Sequence, residues 1–126
     1  MTFSLTEEQR ARLDASEDFW LATVRPSPAA HLIPIWAVLV EDALYMGTET
    51  PAQKVRNILA HPRAALSLPD TRQVLILEGS VTVVEGIIPP AVVARFKEKY
   101  DWSIDSSEKT FLLLQFTPDK ILSWNA

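Results

Sequence analysis

The sequence contains no cysteine, which rules out disulfides, thiolate metal centres and thiol nucleophiles. Its three glycines are too scattered for a G-x-G-x-x-G turn or a Walker loop. Two histidines, His31 and His61, lie far apart and form no metal-ligand spacing. Lysine and arginine number 12 against 16 carboxylates, so the net charge of −4 lacks the basic footprint of a nucleic-acid binder. No uninterrupted apolar run reaches the length of a membrane span, and the first residues do not read as a basic segment followed by an apolar one. G-x-S-x-G and H-E-x-x-H are missing as well, and the acidic pairs Glu7-Glu8, Glu17-Asp18 and Glu41-Asp42 fall where helix starts or turns explain them. The expectation is a cytoplasmic protein, without nucleic-acid or membrane partners, whose difficult chemistry would belong to a cofactor.

What is present is a core. Of 126 residues 48% are hydrophobic, the size and composition of one domain over 1–126. Residues 4–16 read as an outer amphipathic helix, with Ser4/Glu7 and Thr6/Gln9 both fitting a capping box. Strands are expected at 18–25, 31–40 and 43–47, joined by short links as in an antiparallel meander. Further strands are expected at 64–68, 73–85 and 111–116, with 121–124 closing the chain. A helix over 91 to about 102 presents Val92, Val93, Phe96 and Tyr100 as its apolar stripe. Gly79 in mid-strand predicts a bend or bulge. This order predicts a mainly β, α+β architecture: a six-stranded antiparallel Greek-key barrel with flanking helices.

Two strands, 31–40 and 111–116, are apolar on both alternating faces. A barrel needs only one face inside, so a second subunit is the expected cover and a homodimer the expected state. Pro34 cannot donate to a ladder, which predicts a bulge or free edge where a ligand could approach the backbone.

The stretch 48–63 organises the chain. Thr50 reads as an N-cap, Pro51 as the first helical residue, and Pro62 as the stop. Val55, Ile58 and Leu59 form the expected apolar stripe, with Gln53 and Asn57 facing away. Two threonine hydroxyls, free N–H groups and Lys54 within one turn suit a phosphate. Most capped surface helices carrying a lysine bind nothing, so the surrounding pattern decides.

That pattern resembles the pyridoxamine 5'-phosphate oxidase-like family, the flavin-binding split β-barrels. The likeness covers about residues 16–124. Its pieces are Thr48 with Ala52-Gln53-Lys54 and Pro62-Arg63, then Arg72-Gln73-Val74 reaching Gly79, and the closing run from Pro118-Asp119-Lys120 to Trp124. The resemblance implies that FMN, or the deazaflavin coenzyme F420, binds at a dimer interface. Thr48, Ala52, Gln53 and Lys54 would hold its phosphate, and the backbone of Ile33, Pro34, Ile35 and Trp36 would face its ring. Gln73 and Trp124 would come from the other subunit. No catalytic acid or base is assigned.

Departures narrow the resemblance. Ala52-Gln53-Lys54 stands where the oxidases have Ser-Arg-Lys, and Ile33 and Val38 stand where they carry an arginine and a lysine. The arginine-histidine segment that follows in those enzymes has no counterpart after Trp124. The resemblance therefore implies the short branch of the family: an oxidoreductase moving hydride to or from a small organic substrate. It does not imply a true pyridoxamine phosphate oxidase. The alternatives are a non-catalytic flavin- or haem-binding module on the same fold and a structural dimer with a decayed site.

Overall fold

The apolar run 31–40 is not one strand. In the computed structural model, which describes residues 3–49, 53–105 and 111–126, it divides at Trp36 into β2 (Ala30–Ile35) and β3 (Ala37–Val40). The other strands are β1 (Phe19–Val24), β4 (Ala43–Glu49), β5 (Arg63–Ser67), β6 (Gln73–Val83) and β7 (Phe111–Asn125). Helices are α1 (Glu7–Ala15), α2 (Gln53–Ala60) and α3 (Pro90–Tyr100). Among the described residues the seven strands form one antiparallel sheet in the order β2-β1-β5-β6-β7-β4-β3. The expected count of six becomes seven through one break, β2 separating from β3, while 111–116 runs on through 121–124 as β7 without changing the count.

The break shapes the molecule. β2 and β3 occupy opposite edges of the sheet, yet one residue joins them. Two peptide links span at most about 7.6 Å. The sheet must therefore curl until its edges approach each other at Trp36, which makes it a half-barrel. Pro34 lies in β2, on an edge strand, where its missing N–H is tolerated.

Side chains on the inner face, including Leu21, Leu44, Met46, Leu66, Leu77 and Phe116, form the main core. A second cluster lies between α3 and the outer face, where Val92 and Phe96 cover Val38 and Leu113. The face of β3 expected to need a partner subunit is thus covered by the chain's own helix, as is the second face of β7 at Leu113. Gly79 sits at a register shift between β6 and β7, against Thr117 and Pro118 of the neighbouring backbone, so the expected bulge is there.

Thr6 and Gln9 form the capping box of α1, and the competing Ser4/Glu7 pair does not. Helix α1 is a brace. Arg10 bonds Asp42, Arg12 bonds the Gln73 carbonyl, and Asp14 meets Arg95 of α3. Helix α2 departs from its expected stripe: Leu59 is 72% exposed, whereas Asn57 is fully buried. Burial of that amide is possible because Nδ2 donates to Thr23 Oγ1 at 2.8 Å and Oδ1 accepts from Gln53 Nε2 at 2.7 Å. The expected caps Thr50 and Pro51 lie outside the described residues. Among those described, no helix is long and apolar enough to cross a membrane.

Candidate functional site

A cleft of about 610 Å³ opens where β2 ends, a volume typical of small-molecule and cofactor sites. Pro34, Ile35 and Trp36 form one wall, and Gly47, Thr48 and Glu49 at the end of β4 form another. Lys54 enters from α2, while Asp18 and Phe19 come from the start of β1 and Trp102 and Phe111 complete the far side.

The two ends differ in chemistry. At the polar end Thr48 is buried, and its Oγ1 has no hydrogen-bond partner among the described residues. An unpaired buried hydroxyl carries a desolvation cost unless a ligand meets it. Lys54, which lines the same cleft, is half-buried and makes no ion pair among the described residues. Burial holds its ammonium below the ordinary lysine value, and Glu49 only partly opposes this.

The other end is aromatic. Trp36 stacks on Tyr100 with centroids 4.7 Å apart and planes 8° from parallel. Trp102 meets Trp36 edge-on at 6.0 Å and Phe111 at 5.9 Å. Trp102 is delivered there by the end of α3. Asp101 adopts a left-handed conformation with φ 52°, and Trp102 N–H returns to the Phe96 carbonyl at 3.4 Å. Gly47 makes room, because a Cβ at that position would stand 2.5 Å from Trp102 Cη2.

Behind Trp36 a clamp fixes the crossover. Tyr100 Oη accepts from Ala37 N–H at 3.1 Å and lies within donating distance of the Glu17 and Ala37 carbonyls, at 2.8 and 3.1 Å. Lys99 Nζ donates to the Leu13 and Ala37 carbonyls at 3.1 and 2.9 Å and lies 4.9 Å from the Phe19 ring centroid. Burial, with Arg95 nearby, lowers the Lys99 ammonium to about 8 despite these contacts. The Tyr100 phenol is pushed up to about 12, again chiefly by burial.

The structure brings together Pro34, Ile35, Trp36, Thr48 and Lys54. Ile33 packs on the core instead of lining the cleft. The Gln53 side chain is engaged with Asn57 and Arg56. Ala52 lies outside the described residues. Gln73 and Trp124 are not near the cleft within one chain. Trp124 pairs with Val74, and it stands thirteen residues along β7 from Phe111, which lines the cleft. At about 3.3 Å per residue that is roughly 40 Å of strand path. Sequence reasoning missed Asp18, Phe19, Gly47, Glu49, Trp102 and Phe111 as lining residues. Only Gly47 carried a signal, as a small residue next to Thr48.

The sequence profile of the family described as "Pyridoxamine 5'-phosphate oxidase" matches residues 5–125. The chain belongs to this family. Among solved structures this family member is similar to a protein named F420 reductase, at 24% identity and a TM-score of 0.72 over 94% of this chain and 98% of that one. It is also similar to HutZ, described as a heme storage protein from Vibrio cholerae, with 18% identity, a TM-score of 0.79 and 93% of each chain covered. A third is a FAD-binding protein from Mesorhizobium loti, with 13% identity, a TM-score of 0.70, and 93% and 90% coverage. At such identities the likeness establishes a shared fold. No curated protein matches the chain.

Proposed function

We propose that this family member binds FMN, or the deazaflavin F420 as the alternative, and acts as an oxidoreductase on a small organic substrate. One observation carries the reading: a buried hydroxyl, Thr48 Oγ1, and the half-buried Lys54, both unpaired among the described residues, share a cleft with an aromatic wall. The donor set fits a phosphate. Lys54 would supply a charge-assisted bond and Thr48 a hydroxyl, while the edge-strand backbone of Pro34–Trp36 would face the planar ring. When bound, a flavin or deazaflavin supplies two-electron hydride chemistry. The chain's own part is to bind, orient and exclude water, with Trp36 held in place by Tyr100.

A haem-binding role, the description carried by HutZ, has less support. The described lining offers no histidine or methionine to an iron, and the sequence has no cysteine. We also infer a homodimer, now on narrower grounds. With β3 covered by α3, the exposed apolar residues Trp20, Val24 and Leu32 on β1 and β2 remain for a partner. Through the same contact Gln73 and Trp124 of a second copy would reach the cleft. Light scattering at low micromolar concentration tests this, and a stable 14.1 kDa species contradicts it.

Purified protein should show flavin or deazaflavin absorbance, or gain thermal stability when titrated with FMN or F420. A Soret band instead would favour the haem reading. Loaded with FMN, it should oxidise pyridoxamine 5'-phosphate poorly. That substrate brings a second phosphate of about −1.5 to −2 charges needing its own cationic pocket. Val38, where the oxidases carry a lysine, is buried under α3.

A further inference from the structure

We infer that Thr23 and Asn57 are positioning residues: their buried hydrogen bond fixes how α2 sits on β1 and so holds Lys54 at the polar end of the cleft. The inference deepens the reading that Lys54 meets the cofactor phosphate, and its role in binding rests on that reading. Val55 and Ile58 seat α2 by apolar contact, which is non-directional and does not by itself set the rotation of a short helix. Direction comes from a tie of three side-chain bonds. Asn57 Nδ2 donates to Thr23 Oγ1 at 2.8 Å, Gln53 Nε2 donates to Asn57 Oδ1 at 2.7 Å, and Arg56 Nη2 donates to Gln53 Oε1 at 2.6 Å. The tie joins two walls of the cleft. Thr23 shares a strand and its buried face with Phe19, and Phe19 and Lys54 both line the cleft. Lys54 follows Gln53 directly and is a surface neighbour of Asn57 on the helix.

Packing alone does not call for an amide at this place. Leucine has the branched shape of asparagine and would fill the position without desolvating polar atoms. What it lacks is direction. A fully satisfied buried polar network rigidifies a core and specifies one arrangement of it, and here the element so fixed is the helix that carries Lys54. Gln53 then acts through Asn57, with its amide turned to the tie.

The test compares FMN with riboflavin, the same ring without the phosphate, by calorimetry. It also follows Lys54 without flavin, by NMR titration of isotope-labelled lysines with Lys54→Ala identifying the signal. Thr23→Val should lower FMN affinity about tenfold and leave riboflavin affinity unchanged, whereas Thr23→Ser, which keeps the acceptor, should retain the FMN preference. Thr23→Val combined with Asn57→Leu replaces both partners by apolar groups of like shape, which largely preserves stability. This double variant should therefore hold in urea melts and still show the loss for FMN. In a Lys54→Ala background the same double substitution should cost FMN no further affinity, because residues that act through one another are non-additive. Without flavin, the Lys54 ammonium, which burial holds below its ordinary value, should move back up towards that value in the double variant. A double variant that keeps the full FMN preference, or loses riboflavin equally, overturns the inference and leaves the cofactor reading intact. A wild type that does not prefer FMN to riboflavin overturns the cofactor reading instead. The inference then stands if the Lys54 titration moves in the double variant and falls if it does not.

Discussion

Strands β2 and β3 come from one apolar run and are separated by a single residue, yet they meet opposite surroundings. Val38 on β3 is fully buried, with α3 on its far side. Leu32 on β2 is 63% exposed, and Trp36 between them is 48% exposed. The difference is one of cover, since equal hydrophobicity was placed under a helix in one strand and left at an open edge in the other. The cleft forms where cover ends. Two-sided apolarity therefore reports that something covers a strand, and an intrachain helix meets that need as well as a partner subunit does.

The largest effect expected from breaking this comparison is Val38→Asp. An uncompensated charge under α3 should cost several kcal/mol and leave little folded protein, as read by urea denaturation. Phe96→Ala removes the same cover by truncation and should cost about 3–5 kcal/mol. Tyr100→Phe should cost less, about 1–3 kcal/mol, because it leaves the part-buried Ala37 N–H without its partner and opens no cavity. Leu32→Asp is the contrasting case. It should change the stability of the monomer by no more than about 0.5 kcal/mol but weaken self-association in sedimentation. Equal costs for Val38→Asp and Leu32→Asp would erase the comparison.

The clamp behind Trp36 adds a pH signature. Lys99 titrates near 8 in the folded chain against 10.5 as its ordinary value. Between these values the unfolded chain binds more protons, so this group makes stability rise with pH. Tyr100 titrates near 12 against an ordinary 10.0. Between 10 and 12 the folded chain binds more protons, and stability falls. Urea melts from pH 7 to 11 should show a maximum near pH 10. Lys99→Met should remove the rising limb and Tyr100→Phe the falling one.

Much of this architecture was legible because local signals and tertiary structure agree. Thr6 and Gln9 cap α1, Gly79 marks the bulge, and the apolar stripe of α3 through Val92 and Phe96 is the face it buries. Other features were not legible because they depend on contacts distant in sequence. The division at Trp36 follows from sheet closure, which alternation within 31–40 does not encode. Asn57 is buried because Thr23, 34 residues earlier, accepts its proton, and nothing near Asn57 announces that. Leu59 fits a helical stripe yet stands outside the packed face of α2. Of the expected site residues, Thr48, Lys54 and Pro34 to Trp36 line the cleft; the 48–54 turn and Pro34 pointed there from the residues themselves, while Ile35 and Trp36 came only with the family resemblance. Trp102 and Phe111 were not expected, since their place comes from a left-handed helix cap and a strand end.

The central claim is that the polar end of the cleft holds the cofactor's phosphate, and one titration addresses it directly. FMN and F420 are titrated calorimetrically into the wild type, Lys54→Ala and Thr48→Val, alongside urea melts of each protein. A charge-assisted bond contributes about 1.5–3 kcal/mol. Lys54→Ala should therefore lose about ten- to a hundredfold in affinity, with Thr48→Val losing less and both folds retained. Unchanged affinity in Lys54→Ala, with cofactor still bound, would place the phosphate elsewhere and contradict the account.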